Sequence, residues 1–247
     1  MALFKAKYNT GRDVLSHDTM LNGARLITAA EPKNQVSEQF RIIRTNIEFA
    51  SVSKGNVKTV MVSSALSSEG KSTITANLAV VYAQQGKKVL LVDTDLRRPT
   101  VATTFGITDD HGLTNYLANL NSDTQSIIHH TRMDTLDVVT SGPVPPNPAE
   151  LLASSRMTNL ISELRSQYDL VFFDVPPFLM VTDAQVLMSK IDGVVIVVSG
   201  RQTTRGALQR TMDMLKLSDG PILGFIYNDR NRKKNSVNGY GYGYGIK

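Results

Sequence analysis

The stretch SSALSSEGKSTITANLA, residues 63–79, carries at Gly70-Lys71-Ser72 the residues that end a phosphate-binding loop. Backbone N–H groups of such a loop, and the N-terminus of the helix it opens, face phosphate oxygens. The lysine reaches the β- and γ-phosphates, and the hydroxyl after it holds Mg2+. On that pattern Ser68, Glu69, Gly70, Lys71, Ser72 and Thr73 are candidate nucleotide-binding residues. The full pattern has a glycine five residues before Gly70, where this chain has Ala65, so the loop alone is a broken match.

Two further segments supply acids. VLLVDTDLRRP (89–99) ends an apolar run with Asp93 and Asp95, followed by Arg97 and Arg98, and LVFFDVPP (170–177) ends another with Asp174. The C-terminal ends of parallel strands share one edge, where ligands bind. Lys71, Ser72, Asp93, Asp95 and Asp174 are therefore expected to converge there. A single aspartate at a strand end often only caps the next element. Three of them beside a Gly-Lys-Ser loop point to Mg-ATP. The four histidines, His17, His111, His129 and His130, show no spacing with acids that suggests a metal site.

These residues need a frame. Apolar runs at 57–64, 87–93, 135–141, 168–174, 193–199 and 221–228 read as strands. Helices are expected at 71–85, 149–166, 183–190 and 204–217. Near-continuous Val/Ile/Leu runs suit strands covered on both faces, and strand–helix alternation predicts a doubly wound, mostly parallel α/β sheet in a single domain. Val36, Phe40, Ile43 and Ile47 recur at helical spacing, giving a helix over 36–50. The expected division is an extended arm at 1–35, a domain at 36–228 and a tail at 229–247.

The 247 residues are 41% hydrophobic and 20% charged, ordinary values for a soluble globular chain. No apolar run approaches the roughly 18 residues of a membrane span, and the first residues lack the apolar core of a signal peptide. The absence of cysteine fits a reducing cytosol and excludes disulfides and thiolate catalysis. The net charge of +5 is concentrated at the end: residues 229–247 hold Arg230, Arg232, Lys233, Lys234 and Lys247 against Asp229, a net +4. That segment also carries Tyr240, Tyr242 and Tyr244, alternating with glycine, out of eight tyrosines in the chain.

The three acidic and basic motifs resemble the Walker A, A′ and B motifs of bacterial tyrosine kinases, which are P-loop NTPase-like proteins. GPVPPNPAELLAS (142–154), DVPPFLMVTDA (174–184) and the E-x-x-R-x-x-R pattern of Glu38, Arg41 and Arg44 are similar to segments of the same family. The resemblance covers about residues 35–247 and is nearest to the separate kinases of capsule and exopolysaccharide operons. One departure stands out. Members often carry Pro-Gly where this chain has Ser67-Ser68, which is expected to loosen the loop.

The resemblance implies transfer of phosphate from Mg-ATP to tyrosine. Lys71 would hold the phosphates. Ser72, Asp93 and Asp174 would be the metal set, and Asp93 and Asp95 would orient or deprotonate the acceptor. Asn228, at the end of the last strand, would touch adenine. Tyr240, Tyr242 and Tyr244 would be phosphorylated in trans within a ring of copies built through Glu38, Arg41 and Arg44. The implied partners are a transmembrane activator, acting through its cytoplasmic tail, and a cognate tyrosine phosphatase. The implied location is the cytoplasm, at the inner face of the cell membrane, reached through that partner alone. Each phosphotyrosine adds about −1.5 to −2 in charge. An aspartate-rich edge is therefore expected to release the fully modified tail and dissolve the ring.

Two other classes compete. A partitioning or site-placement ATPase would carry a lysine five residues before Lys71, where this chain has Leu66. A basic-tailed nucleic-acid binder could stack its tyrosines on bases, but nothing else in the chain supports a nucleic-acid partner.

Overall fold

The computed structural model describes residues 19–119, 122–218 and 221–229. Seven strands form one sheet: β1 (Thr59–Ser64), β2 (Val89–Asp93), β3 (Ile128–His130), β4 (Leu136–Val139), β5 (Leu170–Asp174), β6 (Gly193–Ser199) and β7 (Ile222–Asn228). Their order is β3-β4-β2-β5-β1-β6-β7. Every pairing is parallel except β3 with β4.

The helices are α1 (Thr19–Asn22), α2 (Ile27–Ala30), α3 (Gln35–Val52), α4 (Lys71–Ala83), α5 (Val101–Phe105), α6 (Leu113–Ala118), α7 (Pro148–Ala153), α8 (Ser155–Gln167), α9 (Asp183–Met188) and α10 (Arg205–Leu217). None of the described helices is long and apolar enough to cross a membrane.

Alternation along each strand sends neighbours to opposite faces. Met61, Leu90 and Phe173 join a core beneath α8 and α9, while Val60, Leu91 and Phe172 join another beneath α3 and α4. Burial on both faces explains why these strands read as unbroken apolar runs. α4 shows no polar face because α2 and α3 cover the side turned away from the sheet.

The sequence reading needs four corrections. Residues 19–30 are not extended: they form α1 and α2, held by contacts that no local pattern reveals. Thr28 N–H and Oγ1 both donate to Asn77 Oδ1, at 3.1 and 2.8 Å, and Ala24 N–H donates to Thr104 Oγ1 at 2.8 Å. The helix expected at 149–166 breaks at Ser154, whose side chain accepts from Met157 N–H to cap α8. The antiparallel edge strand β3 was not expected, because three residues are too few to show a period. The strand expected at 135–141 is shorter, Leu136–Val139.

Candidate active site

The β1–α4 loop is shaped by glycine and braced from two sides. Gly70 takes φ 94° at the start of α4, and a Cβ there would lie 2.3 Å from Asn228 Nδ2. Asn228 donates that nitrogen to Glu69 O at 2.8 Å. The residue expected at adenine is thus a prop for the phosphate loop. The Glu69 side chain is buried and turned away: it accepts from Leu66 N–H at 2.9 Å and from the Thr203 hydroxyl. Glu69 therefore offers a nucleotide its backbone.

Ser68 has φ 62°, the one left-handed non-glycine among the described residues. The loop takes the shape glycine would give it, at a conformational cost of about 1 kcal/mol. With its amide nitrogen facing them, Gln202 donates to Ser67 O and Ser68 O, both at 3.1 Å, so the expected loosening is opposed.

The carboxylates meet at the strand ends. Asp93 and Asp174 are register partners on β2 and β5. Lys71 Nζ lies 2.7 Å from Asp95 Oδ2 and 3.3 Å from Asp174 Oδ1, and donates to Ser72 Oγ at 3.1 Å. Burial works against the lysine's charge, but Asp174, Asp95 and Asp93 outweigh it and hold its pKa above the ordinary value. Burial also raises Asp174, against the opposing pull of Lys71 and a hydrogen bond from Ser72.

Asp93 is committed elsewhere. Its Oδ2 accepts from Thr100 and Val101 N–H, each at 2.9 Å, and its Oδ1 accepts from Asp95 N–H at 3.2 Å. Burial and the neighbouring Asp174 push its carboxyl up to about 7. Asp95, not Asp93, reaches the wall of a cleft of about 410 Å³, bounded also by the phosphate loop, Arg98 and Arg201.

Ser72 Oγ and Asp174 suit a divalent cation. Asp174 Oδ2 is buried without a partner, and Mg2+ commonly takes one or two protein oxygens and fills its shell with phosphate and water. Asp93, its oxygens engaged by three N–H groups, fits that set less well.

Several contributors carried no readable role in the sequence. Arg97 clamps the fully buried Asp183 through Nε at 3.0 Å and a terminal nitrogen at 3.2 Å, tying the β2–α5 loop to α9. Gln202 and Thr203 brace the phosphate loop from 134 or more residues away, and no local signal could have found them. On α3, Glu38 pairs with Arg41 at 2.6 Å, Arg41 also donates to Pro32 O, and Arg44 donates to Val81 O at 3.1 Å. Within one chain these three serve local contacts. Tyr240, Tyr242 and Tyr244 lie outside the described residues.

A parallel sheet whose first strand feeds a Gly-Lys-Ser loop, with aspartates at the neighbouring strand ends, defines a P-loop nucleoside-triphosphate-binding protein. A family model described as an AAA domain matches residues 57–219. The tyrosine-protein kinase YwqD of Bacillus subtilis (strain 168) is 49% identical over 222 residues, 90% of this chain and 92% of the relative. The putative tyrosine-protein kinase CapB of Staphylococcus aureus is 38% identical over 86% and 92%. The kinase domain of the Escherichia coli tyrosine kinase ETK superposes with a TM-score of 0.79 at 33% identity, covering 87% of this chain and 84% of that one. The chain belongs to the bacterial tyrosine-protein kinases.

Proposed function

We propose that the chain uses Mg-ATP to phosphorylate Tyr240, Tyr242 and Tyr244 of a neighbouring copy of itself. The observation that carries this reading is the meeting of Lys71, Asp95 and Asp174 at one cleft below the phosphate loop. On ATP binding, loop N–H groups take phosphate oxygens and Lys71 exchanges its carboxylate partners for the β- and γ-phosphates. Asp95 is then free to face the acceptor phenol.

The phenol oxygen bonds to the γ-phosphorus. The bond from that phosphorus to the β–γ bridging oxygen breaks, and ADP leaves with the electron pair. The phenolic proton passes to Asp95, and a loose transition state lets it move late. Mg2+, held by Ser72 and Asp174, would supply neutralising charge to the phosphates.

α3 would join copies into a ring through Glu38, Arg41 and Arg44. It leaves Ile42, Phe49 and Val52 exposed along one side, which supports a subunit contact there. From Asp229 to Tyr244 an extended chain reaches at most about 50 Å, enough to enter a neighbour's cleft. Activation by the cytoplasmic tail of a transmembrane protein, reversal by a cognate tyrosine phosphatase, and a role in capsular or extracellular polysaccharide synthesis and export complete the reading. It places the chain at the inner face of the membrane. Incubating pure chain with Mg-ATP tests the chemistry. Phosphate on tyrosine supports a kinase. Phosphate released to solution, with none on tyrosine, identifies a hydrolase instead.

A further inference from the structure

The charge lining the cleft is the reverse of what the strand-end aspartates suggest. Asp93 and Asp174 are 0% and 1% exposed and lie beneath its floor, while Asp95 is 3% exposed and paired with Lys71. The exposed charges on its walls are Arg98 and Arg201. Neither guanidinium has a partner among the described residues. Arg97, by contrast, is spent on Asp183.

We infer that Arg98 is a phosphotyrosine-binding residue: it receives a tail tyrosine that is already phosphorylated while the tyrosine two positions away is being modified at Asp95. This rests on the reading of the tail as substrate. Arg98 is built into the same turn as the carboxylate that faces the acceptor, its N–H donating to both Asp95 O and Asp95 Oδ1 at 3.1 Å. In an extended peptide, residues i and i+2 lie on one side, roughly 6.5 Å apart. Tyr240, Tyr242 and Tyr244 have that spacing. A guanidinium holds phosphate through paired, charge-assisted hydrogen bonds. The unmodified tail, with its net +4, gains nothing from a cationic wall, whereas a phosphorylated one does. A partly phosphorylated tail is then drawn in, and phosphorylation spreads from one tyrosine to the next.

The test uses the full-length chain, the cytoplasmic tail of its transmembrane activator, Mg-ATP and peptides spanning residues 236–247. Tyr242 is the acceptor. Positions 240 and 244 are either both phenylalanine, or one of them is phosphotyrosine. Phosphorylation is read by mass spectrometry, and peptide binding by fluorescence anisotropy. One of the two phosphopeptides should bind and react with KM about tenfold lower than the phenylalanine control, the worth of one or two charged hydrogen bonds. Arg98→Gln should erase that difference while Arg98→Lys keeps part of it. Arg201→Gln should leave it in place.

Equal binding of all peptides to the wild-type chain, or a preference that survives Arg98→Gln, overturns the assignment. So does an Arg98→Gln variant that mainly raises KM for ATP, since Arg98 would then be a nucleotide contact. If no peptide reacts or binds, the tail-substrate reading falls and takes this inference with it. If the phenylalanine control reacts but the phosphopeptides gain nothing, only this inference falls.

Discussion

Lys71 and Asp95 are joined at 2.7 Å in a site where both side chains are at least 90% buried. In the proposed reaction this lysine reaches the phosphates and this carboxylate faces the acceptor, so nucleotide would have to separate the pair before either acts. On that reading, loss of Lys71 has two consequences.

Lys71→Met should abolish tyrosine phosphorylation. It should also destabilise the apo chain, because Asp95 and Asp174 lose the charge that compensates their burial. Removing one partner of a buried pair costs roughly 3–5 kcal/mol. Burial raises the pKa of Asp174, so its protonation lessens this at acid pH. Thermal melts of wild type and variant at pH 5 and pH 7.5 check it, with the larger gap expected at pH 7.5.

The wild-type apo chain should itself lose stability as pH rises. Asp93 has its carboxyl raised from 3.8 to about 7 in the folded state. A raised carboxyl binds its proton more tightly folded than unfolded, so its contribution is full below about pH 4 and fades through about pH 7. Asp93→Asn should flatten this part of the melting-temperature profile and also lower kcat.

Ser68 tests the strained loop. Ser68→Gly should be tolerated, with ATP KM unchanged or lower, because glycine adopts φ 62° without a Cβ clash. Ser68→Val places a β-branched residue there, and should destabilise the chain by about 1–2 kcal/mol and raise KM for ATP. Similar behaviour of the two variants would mean that the left-handed turn is not kept in solution.

How much of this was legible in the sequence follows from what each residue touches. Lys71, Ser72, Asp93, Asp95 and Asp174 could be read because strand–loop–helix grammar puts such residues on one edge. Their division of labour could not. Asp93 and Asp95 are two residues apart, yet one is turned to N–H groups at 100 and 101 and the other to Lys71. Asn228 was expected at the edge as an adenine contact; its hydrogen bond to Glu69 O was not legible, since only tertiary packing brings it under Gly70. The short helices at 19–30 depend on Asn77 and Thr104, far along the chain, so local periodicity was silent.

Glu38, Arg41 and Arg44, changed together to alanine, should give smaller assemblies and weaker autophosphorylation. Light scattering separates this from a purely local role. An unchanged mass would confine the three side chains to the contacts they make with Pro32, Val81 and one another.

Phosphorylation of one copy's tail by another can be seen by mixing two crippled chains. One carries Tyr240→Phe, Tyr242→Phe and Tyr244→Phe and keeps its active site; the other carries Lys71→Met and keeps its tail. With Mg-ATP and the cytoplasmic tail of the transmembrane activator, neither alone should acquire phosphotyrosine at 240, 242 or 244. Together they should, and only on the Lys71→Met chain, as read by mass spectrometry. A mixture that releases inorganic phosphate while the tail tyrosines stay unmodified would show that the tail is not the acceptor.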